Sequence, residues 1–197
     1  MPTRRRAIRL FLLSHAETAA TRRAAFAADE PAEPKSLAQA AAAPPRLPDD
    51  AHVLTSPALA ARQTADAIGR VAQTEADLRD ADWGRWRGQT LEAVAAVEPD
   101  ALAAWLGDSA AAPHGGESLA ALRARAGRLL ARCTDRPTLA ITHAALVRAA
   151  LVLALDAPAA SFWRIDVPPL SLLELGWNGR AWTLRQFATI PTWRSVR

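Results

Sequence analysis

The chain has 197 residues, half of them hydrophobic and 22% charged, a size that buries one sizeable core and points to a single domain spanning 1–197. The formal charge is +4 and the pI about 10.7, yet Lys35 is the only lysine, so the basicity reads as an arginine-for-lysine bias. With no recognition motif and no interleaved aromatic ladder, composition argues against a nucleic-acid partner.

The cluster Arg4 to Arg6 reads as a solvated, flexible start (residues 1–6). The apolar run after it, Ala7 to Leu13, is too short to cross a membrane and is followed by no small-residue cleavage site. Cys133 is the sole cysteine, which leaves no internal disulfide and no sign of an oxidising compartment. A soluble cytoplasmic protein is the default expectation.

Ile8 to Leu13 is predicted as the first buried strand. The stretch from Thr21 to Asp50 is rich in alanine, proline and charge, with a short helix across Leu37 to Ala42. A second short strand is expected at His52 to Thr55. Ser56-Pro57 then predicts a helix running to about Val71, since serine caps a first turn and proline suits the first helical position. The segment "DLRDADWGRWRGQT" reads as loop, and Leu91 to Val97 and Asp100 to Leu106 as helices. The loop "GDSAAAPHGGES" leads into a helix from Glu117 to Arg132. Thr138 to Thr142 is a further buried strand, Ala144 to Leu155 a helix, and "SLLELGWNGRAWTLRQFA" a hairpin around Asn178-Gly179. Alternating short apolar runs and helical stretches predict an α/β fold, a three-layer αβα sandwich on a mostly parallel sheet.

Two of these strands, in "LFLLSHAET" and "TLAITHAAL", run directly into a histidine. In open α/β sheets ligands bind beyond the carboxyl ends of the strands, so His15 and His143 are candidates to face one crevice. A lone histidine at a strand end is usually structural; two in matched settings shift the balance toward a site, and periodicity alone leaves the case open. His52 and His114 share no metal-ligand spacing with them, and Trp83 and Trp86 read as packing more than as a stacking surface.

"SHAET" resembles the RHGET signature of the histidine phosphatase superfamily, the phosphoglycerate-mutase-like proteins. "SPALAARQTA" resembles its SPLxRAxQTA block, and "LRDADWGRWRG", "HGGES" and "THAALVRA" resemble three further blocks in the family's order. The resemblance runs from Leu10 to Ala149, and the chain is closest in size to small members such as α-ribazole phosphatase. It implies a phosphomonoester hydrolase that works through a phosphohistidine, with no metal and no cofactor. In that frame His15 is the nucleophile, His143 a stabiliser of the phosphoryl group, and Asp80, one methylene shorter than the family's glutamate, the proton donor. The implied partner is a small phosphorylated metabolite.

The chain departs from the pattern where phosphate is gripped. The arginine before the nucleophile is Ser14 and the arginine of the SPLxRAxQTA block is Ala60, while Ala16 replaces a glycine. A hydrogen bond to a charged group contributes about 1.5–3 kcal/mol, so losing two arginines removes roughly 3–6 kcal/mol. That corresponds to on the order of 10²- to 10⁴-fold in transition-state binding. Arg62 is on the wrong helix face to substitute, whereas Arg79, Arg85, Arg87 and Arg148 are candidates for compensation.

Ser14 either turns the backbone or donates one neutral hydrogen bond to the ligand. Glu17 is expected near the site or on a surface turn. Thr18 supports the loop or approaches the ligand. Glu117 and Ser118 either cap a helix or line the rim. Two functions stay open: an impaired or atypical phosphatase, and an inactive pseudophosphatase used for binding or regulation. A metal-dependent hydrolase built on His15, Asp80 and His143 is the weakest alternative.

Overall fold

The computed structural model describes residues 8–190 except position 46; the basic start expected to be flexible lies outside them. The first strand, β1 (Ile8–Ser14), is buried on both faces from Leu10 onward, which is what an uninterrupted apolar run dictates for a central strand. Parallel neighbours flank it on one side only. With β2 (His52–Thr55), β3 (Gln73–Thr74), β4 (Thr138–Thr142), β5 (Ser171–Trp177) and β6 (Trp182–Thr189), the sheet order is β3-β2-β4-β1-β5-β6. The first four strands are parallel to one another, and β5 pairs antiparallel with both β1 and β6.

Alternate residues of β1 feed two cores. Phe11 and Leu13 pack with α2 (Pro34–Ala42) and α3 (Leu59–Ala67) on one face. Leu10 and Leu12 pack on the other face with α6 (Leu119–Arg132) and α7 (Ala144–Ala154). Helices therefore cover both faces of the sheet, as expected. A one-turn α1 (Ala19–Arg22) follows β1, and α4 (Leu91–Val97) and α5 (Pro99–Gly107) carry a satellite cluster of Phe26, Trp86, Val94 and Trp105.

Several expected boundaries shift. The helix expected across Leu37 to Ala42 starts at Pro34, where proline suits the first turn. The helix predicted from Ser56-Pro57 starts at Leu59, with Ala58 as its cap and no side-chain capping bond, and it stops at Ala67, where Gly69 turns the chain at φ +71°. The helix predicted from Glu117 begins at Leu119 with Ser118 as its N-cap. The hairpin connection is four residues long: the Asn178 side-chain carbonyl accepts from the amides of Arg180 and Ala181, and Gly179 takes φ +94°. Neither α1 nor the two-residue β3 has enough periodic sequence to announce itself.

Candidate active site

β1 and β4 are parallel neighbours, with Ser14 beside Thr142. The chain leaving β1 goes on to α2 and α3 on one face, whereas the chain leaving β4 forms α7 on the other. Adjacent strands whose connections part to opposite faces open a crevice beyond their carboxyl ends. His15 and His143 are the first residues past those ends. The His15 amide still donates to Thr142 O at 2.9 Å, and Ser56, the first residue past β2, donates its amide to Ile141 O at 2.9 Å. Three strand termini thus meet at one place.

The ring of His15 is fixed by its own turn. Nδ1 lies 2.7 Å from the Ala16 carbonyl, and a carbonyl only accepts, so Nδ1 carries the hydrogen and in the neutral ring Nε2 holds the lone pair. Its centroid is 5.0 Å from that of His143, at 69° between planes. His143 Nε2 lies 2.9 Å from Ser56 Oγ, which already accepts from the Ala58 amide. The fully buried hydroxyl then donates to Nε2, which puts the His143 hydrogen on Nδ1. That nitrogen has no hydrogen-bond partner and faces Asp80 Oδ2 at 3.8 Å. Burial, only partly opposed by the Asp80 charge, pushes the His143 pKa down to about 4. At neutral pH the ring is uncharged, so it offers an N–H dipole rather than a cation.

Asp80 is held by its loop. Oδ1 accepts from the Ala81 amide at 2.9 Å and Oδ2 from the Trp83 indole at 3.1 Å. Beneath the loop lies Arg125, 1% exposed, which donates to the carbonyls of Asp77, Arg79 and Asp80 at 2.8, 2.7 and 3.1 Å. Its charge is met by a bidentate pair to Glu117 at 2.9 and 2.5 Å. Thr142 Oγ1 adds a bond to Leu78 O at 2.7 Å. The buried guanidinium therefore ties the Asp80 loop to α6, and the loop in turn to the end of β4.

A cavity of about 370 Å³ opens over the histidines, walled also by Thr18, Ala60, Asp80, Arg79 and Arg87. Of the residues singled out from sequence, His15, Thr18, Asp80 and His143 line it together. Four others are placed elsewhere. Ser14 is 2% exposed and turns its hydroxyl away to Pro168 O at 2.9 Å while accepting from the Ser171 amide at 2.9 Å, a backbone-tying role. Glu117 is spent on Arg125, and Ser118 caps α6 by accepting from Ala121 N at 3.2 Å. Glu17 is not part of the wall; its backbone bonds to Ser36 Oγ and Glu33 N. Thr18 also caps α1 in a reciprocal pair with Thr21. Ala16 needs no left-handed backbone: its methyl is buried and its amide donates to Thr64 Oγ1 at 2.9 Å.

Ala60 borders the cavity while packing in the core on the α3 face, 4% exposed, so a methyl stands where the family's arginine would reach the phosphate. Among the candidates for compensation, Arg79 and Arg87 border the cavity, both exposed and both paired, Arg79 with Glu117 at 3.7 Å and Arg87 with Asp82 at 3.0 Å. Arg85 pairs with Glu98, Arg148 lies over the Phe162 ring, and Arg62 borders a separate hollow. Among the described residues no group of three or more His, Cys, Asp and Glu is placed to hold a metal ion, and no helix is long and apolar enough to cross a membrane.

Sequence reading missed Ser56, Trp83 and Arg125 as parts of the site, and also Asp29, which lines the cavity. Only Arg125 had a signal: it occupies an apolar position of α6, in step with Leu122, Ala126 and Leu129, where an arginine is buried only if it is paired.

The profile of the histidine phosphatase superfamily (branch 1) matches residues 10–189. The glucosyl-3-phosphoglycerate phosphatase of Mycobacterium tuberculosis is 31% identical over 109 residues, 49% of this chain and 49% of that protein. The bifunctional protein Rv2228c of the same organism is 30% identical over 139 residues, 66% of this chain and 38% of its own length. The chain thus spans about half or less of the curated relatives it matches. Among solved structures, a mycobacterial hydrolase superposes with a TM-score of 0.78 at 27% identity, covering 92% of this chain and 98% of that one. The α-ribazole phosphatase from Shigella flexneri superposes at 0.79 with 22% identity, covering 93% and 97%, a likeness of fold. By its sequence, its sheet and its paired strand-end histidines, this chain belongs to the histidine phosphatase superfamily.

Proposed function

We propose that the chain is a phosphomonoester hydrolase that acts through a phosphohistidine on His15, with a weakened grip on the phosphoryl group. The observation that carries this reading is the fixed His15 ring: Nδ1–H is committed to the Ala16 carbonyl, so Nε2 keeps its lone pair beside the cavity. Nε2 attacks phosphorus and the P–O ester bond breaks. The phosphomonoester monoanion brings one proton, which passes to the Asp80 carboxylate on binding and from there to the departing alkoxide; water then attacks the phosphohistidine while Asp80 takes up the proton that water gives. Phosphate leaves and His15 is regenerated.

The N–H of His143 and the hydroxyl of Thr18 stand on the same wall and donate to phosphoryl oxygens, but both are neutral. Charge on the oxygens is met by the side chains of Arg79 and Arg87, each shared with a carboxylate. This electrostatic deficit predicts slow turnover, best with substrates whose leaving groups depart easily. Activity on p-nitrophenyl phosphate that persists in chelator and is lost in His15→Ala supports the reading; absence of activity with folded protein counts against it.

A second reading, a pseudophosphatase, is favoured by Ala60 in the wall and by Ser14 being consumed by the backbone of Pro168 and Ser171. It retains a binding cavity and predicts ligand binding without covalent transfer.

A further inference from the structure

The cavity is lined by four carboxylates, Asp29, Glu30, Asp80 and Asp82, and by only two guanidiniums, Arg79 and Arg87. Asp82 engages Arg87 and Glu117 engages Arg79, which leaves Asp29, Glu30 and the acid Asp80 without a cation among the described residues. Asp29 stands at φ +70°, an uncommon backbone conformation for a residue with a side chain, and its Oδ1 accepts from the Leu59 amide at 2.8 Å. The N–H at the start of α3, beside Ala60, is therefore taken by a carboxylate of the chain itself. Glu30 bonds the Ala28 amide through Oε2 at 3.2 Å. Each side chain retains one oxygen. Set into the same wall is the buried His143 Nδ1, which lacks a partner.

Such a wall opposes a substrate that is anionic throughout. Two arginines that would neutralise a phosphate are absent, and Asp29 and Glu30, besides the acid Asp80, line the cavity without a counter-charge among the described residues. Both conditions are met at once by a ligand with a phosphoryl group at one end and a cation at the other. We propose, building on the phosphohydrolase reading above, that the site takes zwitterionic phosphomonoesters, the phosphate esters of small amino alcohols. The phosphoryl group faces His15 and His143, and the ammonium group is held by Asp29 and Glu30. A volume of about 370 Å³ admits a molecule of this size. An ester whose alcohol bears a carboxylate is rejected by the same two side chains.

Binding of unreactive phosphonates to the whole 197-residue chain, measured by calorimetry, separates charge from shape. 3-Aminopropylphosphonate is expected to bind about tenfold more tightly than propylphosphonate, the increment two partly exposed ion pairs supply. 2-Carboxyethylphosphonate is expected to bind more weakly than either. In Asp29→Asn/Glu30→Gln the preference disappears, while the asparagine keeps the bond to Leu59 N and tolerates the positive φ. Equal affinity for the amino and propyl compounds, no binding of the amino compound, or a preference that survives in the double variant overturns the proposal. The phosphohydrolase reading is separately decided by phosphoryl transfer to His15: an adduct without amino selectivity leaves that reading standing and removes this one.

Discussion

His143 Nδ1 faces Asp80 Oδ2 at 3.8 Å across the floor of the cavity, one group brought by the end of β4 and the other by a loop anchored on Arg125. Because the ring is neutral, this is a dipole facing a carboxylate rather than an ion pair. It is the point at which the site differs most in character from a cationic phosphate pocket.

The neutrality of His143 links stability to pH. Its folded pKa, about 4, lies below the ordinary value of 6.5, so between those values the unfolded chain binds the proton and the folded chain does not. The stability held at neutral pH is therefore lost as pH falls from about 6.5 to 4, on the order of 3 kcal/mol in all. Urea unfolding across this range, with His143→Asn removing the slope due to this residue, checks the effect, and an NMR titration should leave the His143 ring uncharged at pH 5.

Arg125 and Glu117 form a buried pair in which neither partner is tolerated alone. Glu117→Leu leaves a buried guanidinium without its counter-charge, and Arg125→Met leaves three carbonyls without this donor and Glu117 with only the exposed Arg79 at 3.7 Å. Either change is expected to cost about 3–5 kcal/mol. The urea midpoint falls with little change in slope.

Asp80 is separable from His15 by leaving group. Asp80→Asn is expected to slow hydrolysis of an alkyl phosphate on the order of 10²-fold, the typical contribution of a positioned acid, while hydrolysis of p-nitrophenyl phosphate, whose phenolate departs without a proton, changes little. Parallel kcat/KM measurements on the two esters make the comparison.

The two missing arginines are not equivalent. Ala60 borders the cavity, which gives a longer side chain a way out of the core, so Ala60→Arg is expected to fold and to bind vanadate or phosphate roughly tenfold more tightly, the scale of one charge-assisted hydrogen bond. Ser14 is enclosed by Pro168 and Ser171, so Ser14→Arg is expected to lose about 3 kcal/mol or more of stability through overpacking and broken bonds. Inhibition constants and thermal unfolding distinguish the two.

How much of this was legible in the sequence depended on range. β1 and β4 announce themselves because strands buried on both faces must be continuous apolar runs, and the histidines at their ends follow from reading where the runs stop. The start of α3 was misplaced because Ser56-Pro57 satisfies a local capping rule, yet the Ser56 hydroxyl is used by His143, 87 positions away. Asp29 was silent for a related reason: its backbone conformation and its bond to Leu59 are set by packing between distant segments. Ser14, by contrast, allowed two roles from sequence, and the choice between them came from the chain segment 168–171 folding against it.

The central claim is that His15 carries the phosphoryl group. Incubation with a reactive acyl or aryl phosphate, a rapid quench and mass spectrometry test it directly. A phosphoryl adduct is expected on His15 and absent in His15→Ala; folded protein that never acquires the adduct overturns the phosphohistidine and leaves the chain a binding module.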